Sequence, residues 1–210
     1  MAGRKALKPE GFNPVREPNG IILLPARPKF ISKIPEDRQS ASMRKGMRYE
    51  RMIKSLFSQA FRESYCHGQW IEFWERGIKR WCQIDGIWVD RERKILTIFE
   101  IKYRHTIKAW WQLRRLYSPI LWRYLQELGE KEFKVAICEV VKVFDPSVEF
   151  PEKVTLISSI EEIQPGRFQV IQIGDREFEV NPKIKAGPRI KLGKSIPAGA
   201  SFSLSGMENL

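Results

Sequence analysis

Three residues whose side chains can do chemistry lie close together in the chain: Asp85, Glu100 and Lys102. Side chains alternate between the two faces of a strand, so in the apolar segment 95–102 the Glu100 carboxylate and the Lys102 amine share one face. The charged run at 90–94 predicts a turn. Antiparallel pairing across that turn brings Asp85 opposite Glu100 or its neighbour. We therefore expect two carboxylates and one lysine to converge on one spot.

Two carboxylates a few ångströms apart form a site for a hard cation such as Mg²⁺ or Mn²⁺, which takes its remaining ligands from water and substrate phosphate. Such a metal activates a bound water and stabilises charge on phosphorus, while a neighbouring ammonium positions the nucleophile. The reaction implied is phosphodiester hydrolysis. The alternative is a salt bridge between strands on a solvated face. Leu96 and Ile98 share the face of Glu100 and argue that it is covered.

The elements that must position these residues can be predicted from periodicity and turn residues. A first helix is expected from about residue 42 to near Gly68, capped by Ser40 or Ser42, and a second over 106–128, kinked or split by Pro119. Strands are expected at 70–74, 81–89, 95–102 and 134–141, with short β segments at 154–158, 167–173 and 177–180. This order predicts an α/β fold, with a central mixed sheet flanked by helices.

The three residues resemble a known family. Asp85, followed after fourteen residues by Glu100-Ile101-Lys102, is similar to the D-x(n)-E-x-K signature of the PD-(D/E)xK nuclease superfamily, with Ile84 in place of the proline. The predicted α-β-β-β-α-β order also resembles the restriction-endonuclease-like core of that family, here followed by additional C-terminal β segments. The resemblance implies a metal-dependent nuclease. Asp85, Glu100 and the Ile101 carbonyl would bind Mg²⁺ or Mn²⁺, and Lys102 would act on the attacking water.

A further acidic ligand is expected from the first helix. Glu50 lies with Met47 and Phe57 on the stripe predicted to face inward, where a carboxylate is costly unless it is paired or bound to metal. Many members of the family supply a metal ligand from this helix, so the resemblance assigns Glu50 to the metal site. The alternative is an exposed helix residue that pairs with Lys54.

The helix after the E-x-K strand carries a second resemblance. In RecB-like exonucleases a Gln-x-x-x-Tyr element on this helix contacts the active site or DNA. This chain has Gln112 and Tyr117, with one residue more between them. The resemblance therefore assigns Gln112 to the catalytic set and leaves Tyr117 open.

The charge of the chain points to DNA as its partner. Lys and Arg total 37 against 25 Asp and Glu, which gives a net charge of +12 and an isoelectric point near 9.8. Such a balance favours a polyanion, most often a nucleic acid, over an anionic membrane surface. Cations at the start of the first helix would be compensated by a bound phosphate, and tryptophans on the second helix could stack bases. The expected nucleic-acid contacts are Arg44, Lys45, Arg48, Lys108, Trp111, Arg114 and Arg115.

Composition also suggests boundaries and a compartment. We expect a basic, proline-rich arm at 1–41, the nuclease core at 42–145, a β extension packed on the core at 146–180 and a basic flexible tail at 181–210. Apolar runs are too short for a membrane span and no secretory signal is evident. Three widely spaced cysteines indicate no disulfide framework, so a cytoplasmic protein is expected.

Several questions stay open at this level. Nothing decides between endonuclease and exonuclease, between DNA and RNA, or between oligomeric states. The sequence has no Walker A loop, so a motor would come from a helicase, recombination or replication protein in trans, and the small size suits a phage or mobile-element protein. The competing interpretation is a non-cleaving nucleic-acid-binding or assembly protein built on a nuclease-like fold.

Overall fold

The structure, a computed structural model, describes residues 14–31 and 34–174, apart from the side chain of Glu36. Seven strands lie in this part of the chain: β1 (Asn19–Leu24), β2 (Tyr65–Glu75), β3 (Ile78–Asp90), β4 (Ile95–Arg104), β5 (Lys134–Val143), β6 (Val154–Ile157) and β7 (Phe168–Gln172). They form one sheet in the order β1-β2-β3-β4-β5-β7-β6. Pairing is antiparallel from β1 to β4 and parallel from β4 to β6. The predicted α/β class with a mixed sheet is confirmed.

Helices lie on both faces of this sheet. The described helices are α1 (Ala41–Phe61), α2 (Ile107–Trp111) and α3 (Ser118–Glu127), with a π-helical segment Gln112–Tyr117 between the last two and short 3₁₀ turns at Glu36–Arg38, Arg62–Ser64 and Ile160–Glu162. The hydroxyl of Ser40 caps α1 by accepting from the Met43 amide at 3.1 Å. None of the described helices combines the length and apolar character needed to cross a membrane.

The first helix ends earlier than the sequence predicts. It stops at Phe61 rather than near Gly68, because Arg62 has a φ of 44° and the chain from Tyr65 onward is already paired in β2. The face of this helix that packs against the sheet also differs from the predicted one. Tyr49, Ile53 and Phe57 are the buried positions, whereas Met47 is exposed and Glu50 lies at the edge of the interface.

The second helical layer covers the opposite face of the sheet. Leu96 and Ile98 of β4 pack in a core with Leu113 and Leu121, while the alternate residue Phe99 packs under α1. Pro119 lies in the first turn of α3, directly after the π-helical segment Gln112–Tyr117. Helical residues run without a gap from Ile107 to Glu127, so Pro119 does not split this helix in two; the irregularity is the π-helical segment just before the proline.

One strand occurs where the sequence indicates only an arm. Residues Asn19–Leu24 form β1, which pairs with β2 at the edge of the sheet and buries Ile21 and Leu23. Proline is tolerated beside an edge strand because no neighbour needs its amide, and Pro18 and Pro25 flank β1 directly. Strands β6 and β7 match two of the short β segments predicted. The third, at 177–180, lies outside the described residues, as do residues 1–13 and the predicted tail.

Candidate active site

The site is built where β3 separates from β4. The last paired residues are Gly86 and Phe99, so Asp85 comes one step beyond the ladder, at the level of Glu100. There the Asp85 carboxylate takes the place of a strand partner, since its Oδ2 accepts a hydrogen bond from the Ile101 amide at 2.9 Å. This bond holds Asp85, one candidate metal ligand, against the backbone of β4, which carries the other candidate ligand, Glu100.

Glu100 is the most deeply buried acid of the site, with 2% of its surface exposed. One carboxylate oxygen accepts a hydrogen bond from the ammonium of Lys102. The other, Oε2, is buried and has no hydrogen-bond partner among the described residues. The pKa of Glu100 is raised to about 8, chiefly by burial and secondly by the nearby Asp85 charge, against the opposing effect of Lys102.

Lys102 is held in its charged form. Burial acts to lower the pKa of its amine, but the charges of Glu100 and Asp85 outweigh burial, so the pKa lies above its usual value. Its side chain keeps 28% of its surface exposed and so reaches the outside of the site. Lys102 is therefore an ammonium, able to donate hydrogen bonds to a group that enters from solvent.

Helix α1 reaches the same place through a lysine. Lys54 Nζ lies 2.5 Å from Glu50 Oε1 and 3.6 Å from Asp85 Oδ1. The alternative considered for Glu50, pairing with Lys54, is therefore present, but the lysine also links Glu50 to the strand acid. Sequence reasoning did not include Lys54 in the site, because helical spacing shows its relation to Glu50 and not to the sheet.

The π-helical segment brings Gln112 and Tyr117 together. A π-helix bonds residue i to residue i+5, so residues five positions apart lie close on one side. Gln112 Nε2 donates to the Tyr117 hydroxyl at 3.1 Å. Burial raises the pKa of Tyr117, and the charges of Glu100 and Asp85 add to that effect, which places the phenol beside the acidic cluster. The π-helix thus accommodates the additional residue between Gln112 and Tyr117.

Tyr65 is a further residue of this region that sequence reasoning missed. Its hydroxyl packs over Gly86, where an added Cβ would lie only 2.6 Å from the Tyr65 oxygen. That hydroxyl is buried and has no hydrogen-bond partner among the described residues. The available signal was Gly86 itself, since a glycine inside a strand often marks a close approach of another group.

A second buried pair lies beside the site. His105 Nδ1 is 2.6 Å from Glu139 Oε2, and Glu139 also accepts from the Thr106 amide at 3.2 Å. Glu139 is the register partner of Glu100 on the neighbouring strand. His105 is buried and contacts the rings of Phe144 and Phe150, so it is a hydrogen-bonded interior residue. This pair fixes the end of β4 and the start of α2.

The predicted nucleic-acid contacts fall into two groups. Arg44, Lys45 and Arg48 are exposed on the N-terminal half of α1, ahead of Glu50. The other four, Lys108, Trp111, Arg114 and Arg115, belong to α2 and the π-helical segment, and the last three border a cavity of about 280 Å³. Within that group Arg114 is bound to Glu152 by two hydrogen bonds of 2.8 and 2.7 Å, whereas Lys108 and Arg115 are exposed.

The donor atoms of the site suit a hard cation. In the described part of the chain no three His, Cys, Asp or Glu side chains are gathered as a ready-made metal cluster. Glu100 Oε2 and Gln112 Oε1 are nevertheless buried acceptors with no hydrogen-bond partner among the described residues. The Asp85 and Glu50 carboxylates face the same region, where two lysines balance their charge. Oxygen donors of this kind are those that Mg²⁺ and Mn²⁺ prefer.

No protein-family model matches the chain, and neither the curated proteins nor the solved structures contain a significant match.

Proposed function

We propose that this chain is a divalent-metal-dependent nuclease that hydrolyses DNA phosphodiester bonds. The observation that carries the proposal is the state of Glu100, a buried carboxylate with one oxygen on Lys102 and the other without a hydrogen-bond partner among the described residues. An unpaired carboxylate oxygen in the interior is costly unless a cation or donor binds it. The adjacent Asp85 makes a divalent cation the natural partner.

The order of the elements supports a restriction-endonuclease-like core. From α1 through β2, β3 and β4 to the second helical layer and β5, the chain follows the α-β-β-β-α-β order of the PD-(D/E)xK superfamily. The signature residues lie on β3 and β4, as that family requires. Strands β1, β6 and β7 are additions at the two edges of the sheet.

Four groups of this chain would hold the metal: the carboxylates of Asp85, Glu100 and Glu50, and the carbonyl of Ile101. A bound Mg²⁺ or Mn²⁺ supplies Lewis acidity, lowering the pKa of a coordinated water and offsetting charge on the phosphate. The hydrogen bond from the Ile101 amide orients Asp85 before any ligand arrives. Preorganisation of this kind reduces the rearrangement needed during reaction.

The remaining roles follow from charge and position. Lys102, an ammonium, donates from Nζ to the attacking water or to a phosphate oxygen and so positions the nucleophile. Gln112, tied to Tyr117, borders the acidic cluster from the opposite helical layer. The Gln112 carbonyl oxygen is left to accept a hydrogen bond from water or substrate.

The DNA would be held by exposed cations. Arg44, Lys45 and Arg48 precede Glu50 on the same helix, so phosphates bound there lie next to the acidic cluster. Lys108 and Arg115 offer a second set on the other helical layer. A net charge of +12 draws DNA to the chain without sequence preference. A motor protein acting in trans and a cytoplasmic location complete this proposal.

A non-cleaving binding or assembly protein is the second candidate. The observation that favours it is the pairing of all three carboxylates by Lys54 and Lys102, which balances much of their charge without a metal. Such a network can serve as structure alone. In that case the basic surface would bind nucleic acid without cleaving it.

Cleavage assays separate the two candidates. Linear, circular, single-stranded and branched DNA are incubated with the full chain in Mg²⁺, in Mn²⁺ and in a chelator. The nuclease proposal expects metal-dependent cleavage that Lys102→Ala reduces at least about a hundredfold. Lys134→Ala, a lysine at the opposite end of the paired strands β4 and β5, is the matched control and should cleave like wild type. DNA binding without cleavage of any substrate would favour the second candidate.

A further inference from the structure

Lys54 occupies an unusual position for a lysine. Its ammonium lies between two carboxylates from different elements, at 2.5 Å from Glu50 on α1 and 3.6 Å from Asp85 on β3. Only 12% of its side chain is exposed. Lysine is seldom buried to this extent unless it is paired, so the two acids account for its place.

The same two acids are candidate ligands for a divalent cation. A cation that binds both of them must approach each to about 2.0–2.6 Å, which is the space that the Lys54 ammonium now occupies. An ammonium and a divalent ion in one such space repel each other strongly at low local dielectric. The two cations are therefore alternatives at Glu50 and Asp85.

We propose that Lys54 is a built-in counter-ion that competes with the divalent metal, holding Glu50 and Asp85 together until the metal displaces its ammonium. The inference rests on the metal-dependent function proposed above, and it adds a residue that limits metal affinity. Lys102 does not serve this purpose, because its partner is the other acid, Glu100, and its reach extends to solvent.

The arrangement has a structural reason. Three acids converge here, and Glu100 is deeply buried, with 2% of its surface exposed. Without Lys54, Glu50 and Asp85 would add unbalanced negative charge beside it, and like charges at this range repel. Lys54 therefore stabilises the folded acidic cluster, at the expense of the affinity of the cluster for the metal.

Direct metal titration tests this inference. The full chain is titrated with Mn²⁺ in the absence of DNA, and binding is followed calorimetrically. Lys54→Met keeps the apolar stem and removes the charge, so it should bind Mn²⁺ about tenfold more tightly than wild type, or better, since one competing unit charge is gone. Lys79→Met is the matched control, because it removes a lysine from an ion pair with Glu72 on the distal β2–β3 hairpin. Its affinity should equal that of wild type.

A second measurement uses the wild-type chain, in case the methionine variant does not fold. Amine acetylation followed by mass spectrometry reports how accessible each lysine is. Acetylation of Lys54 should rise when Mg²⁺ is added, because the displaced ammonium moves toward solvent, while acetylation of Lys79 should not change. No rise at Lys54 on saturation with Mg²⁺ overturns the inference.

The outcomes separate this inference from the proposed function. If wild type binds Mn²⁺ and Lys54→Met binds it equally or more weakly, the competition is wrong and the metal site stands. If neither protein binds Mn²⁺ at any concentration that leaves it folded, the metal site itself is wrong, and both proposals fall. Tighter binding in Lys54→Met together with unchanged Lys79→Met supports the competition.

Discussion

The carboxylate of Asp85 accepts a hydrogen bond from the backbone amide of Ile101 at 2.9 Å, at the point where β3 leaves β4. The Asp85 side chain thus supplies a hydrogen-bond acceptor to β4 where the backbone pairing of β3 with β4 has ended. Because the Ile101 amide lies between Glu100 and Lys102, the bond joins all parts of the D-x(n)-E-x-K pattern physically. Asp85 therefore has a structural role that can be separated from its proposed role as a metal ligand.

Two substitutions at Asp85 should separate these roles. Asp85→Asn keeps an oxygen acceptor for the Ile101 amide, so its stability to urea should stay close to that of wild type. Asp85→Ala leaves that buried amide without a partner and should lose about 1–3 kcal/mol. Both should lose at least about a hundredfold in cleavage, since both lack the carboxylate. Equal unfolding midpoints for the two variants would contradict the structural role.

The pKa of Glu100 predicts a pH dependence of stability. Burial raises it from 4.5 to about 8, so between these values the unfolded chain gives up a proton that the folded chain retains. Wild-type stability should therefore fall as pH rises through this window, and it should not depend on Glu100 ionisation below the window, where both states are protonated. Glu100→Gln removes the titration, so its stability should depend less on pH there. Urea unfolding at several pH values measures the two slopes, and parallel curves would contradict the raised pKa.

The close approach of Tyr65 to Gly86 predicts a steric effect. Gly86→Ala places a Cβ 2.6 Å from the Tyr65 oxygen, so the ring or the strand must shift, at a cost of about 1–3 kcal/mol. Gly46→Ala is the control. No atom lies within 4 Å of the added Cβ in α1, and alanine favours a helix by up to about 1 kcal/mol. The midpoint of thermal unfolding should fall in Gly86→Ala and rise in Gly46→Ala.

The contact between Gln112 and Tyr117 predicts a loss of activity without a loss of fold. Tyr117→Phe removes the hydroxyl that receives the Gln112 amide, which should cost about 1 kcal/mol of stability. Cleavage should fall about tenfold through kcat rather than KM if the pair positions the site. Tyr124→Phe, on the half-buried side of α3, serves as control. Unchanged kcat in Tyr117→Phe would limit the pair to packing.

The edge strand predicts where the N-terminus can be cut. Removal of residues 1–13, which include Arg4, Lys5 and Lys8, should leave a folded chain. The slope of log K for DNA binding against the logarithm of the salt concentration should become shallower by about 0.7–0.9 for each phosphate that these cations neutralise. Removal of residues 1–24 also deletes Val15 and β1. The buried side chains of that segment contribute about 1.5–3 kcal/mol each, out of a typical domain stability of about 5–15 kcal/mol. Circular dichroism and urea unfolding should show the longer deletion to be strongly destabilised.

Local patterns predicted the relation of Asp85 to Glu100. Alternation along β4 and a charged turn at 90–94 involve only neighbouring residues, and the pleat of a strand has a strict period of two. The charged turn predicts Val89 opposite about Ile95, whereas in the structure Val89 pairs with Leu96, a difference of one residue. The site geometry tolerates this difference, because Asp85 lies beyond the end of the ladder.

Other features depended on contacts distant in sequence. Lys54 reaches Asp85 only because α1 crosses the sheet at that place, which helical spacing does not show. Tyr117 joins Gln112 through a π-helix, and a search for the usual helical period overlooks a spacing of five. The prolines before residue 41 suggested an arm, although an edge strand needs few of its own amides. For Lys54 and β1 tertiary packing decided between local alternatives, whereas for Tyr117 an irregular helix did.

The sheet combines two kinds of connection, and this has a consequence for how the chain folds. Strands β2, β3 and β4 are joined by short hairpin turns, whereas β5, β7 and β6 add through longer parallel crossovers. Closing short loops costs less chain entropy, so we expect the hairpins to form first. Asp85 and Glu100 would then meet while water still reaches them. The helical layer that carries Tyr117 would cover Glu100 late in folding, when most of the native contacts are already present to offset its desolvation.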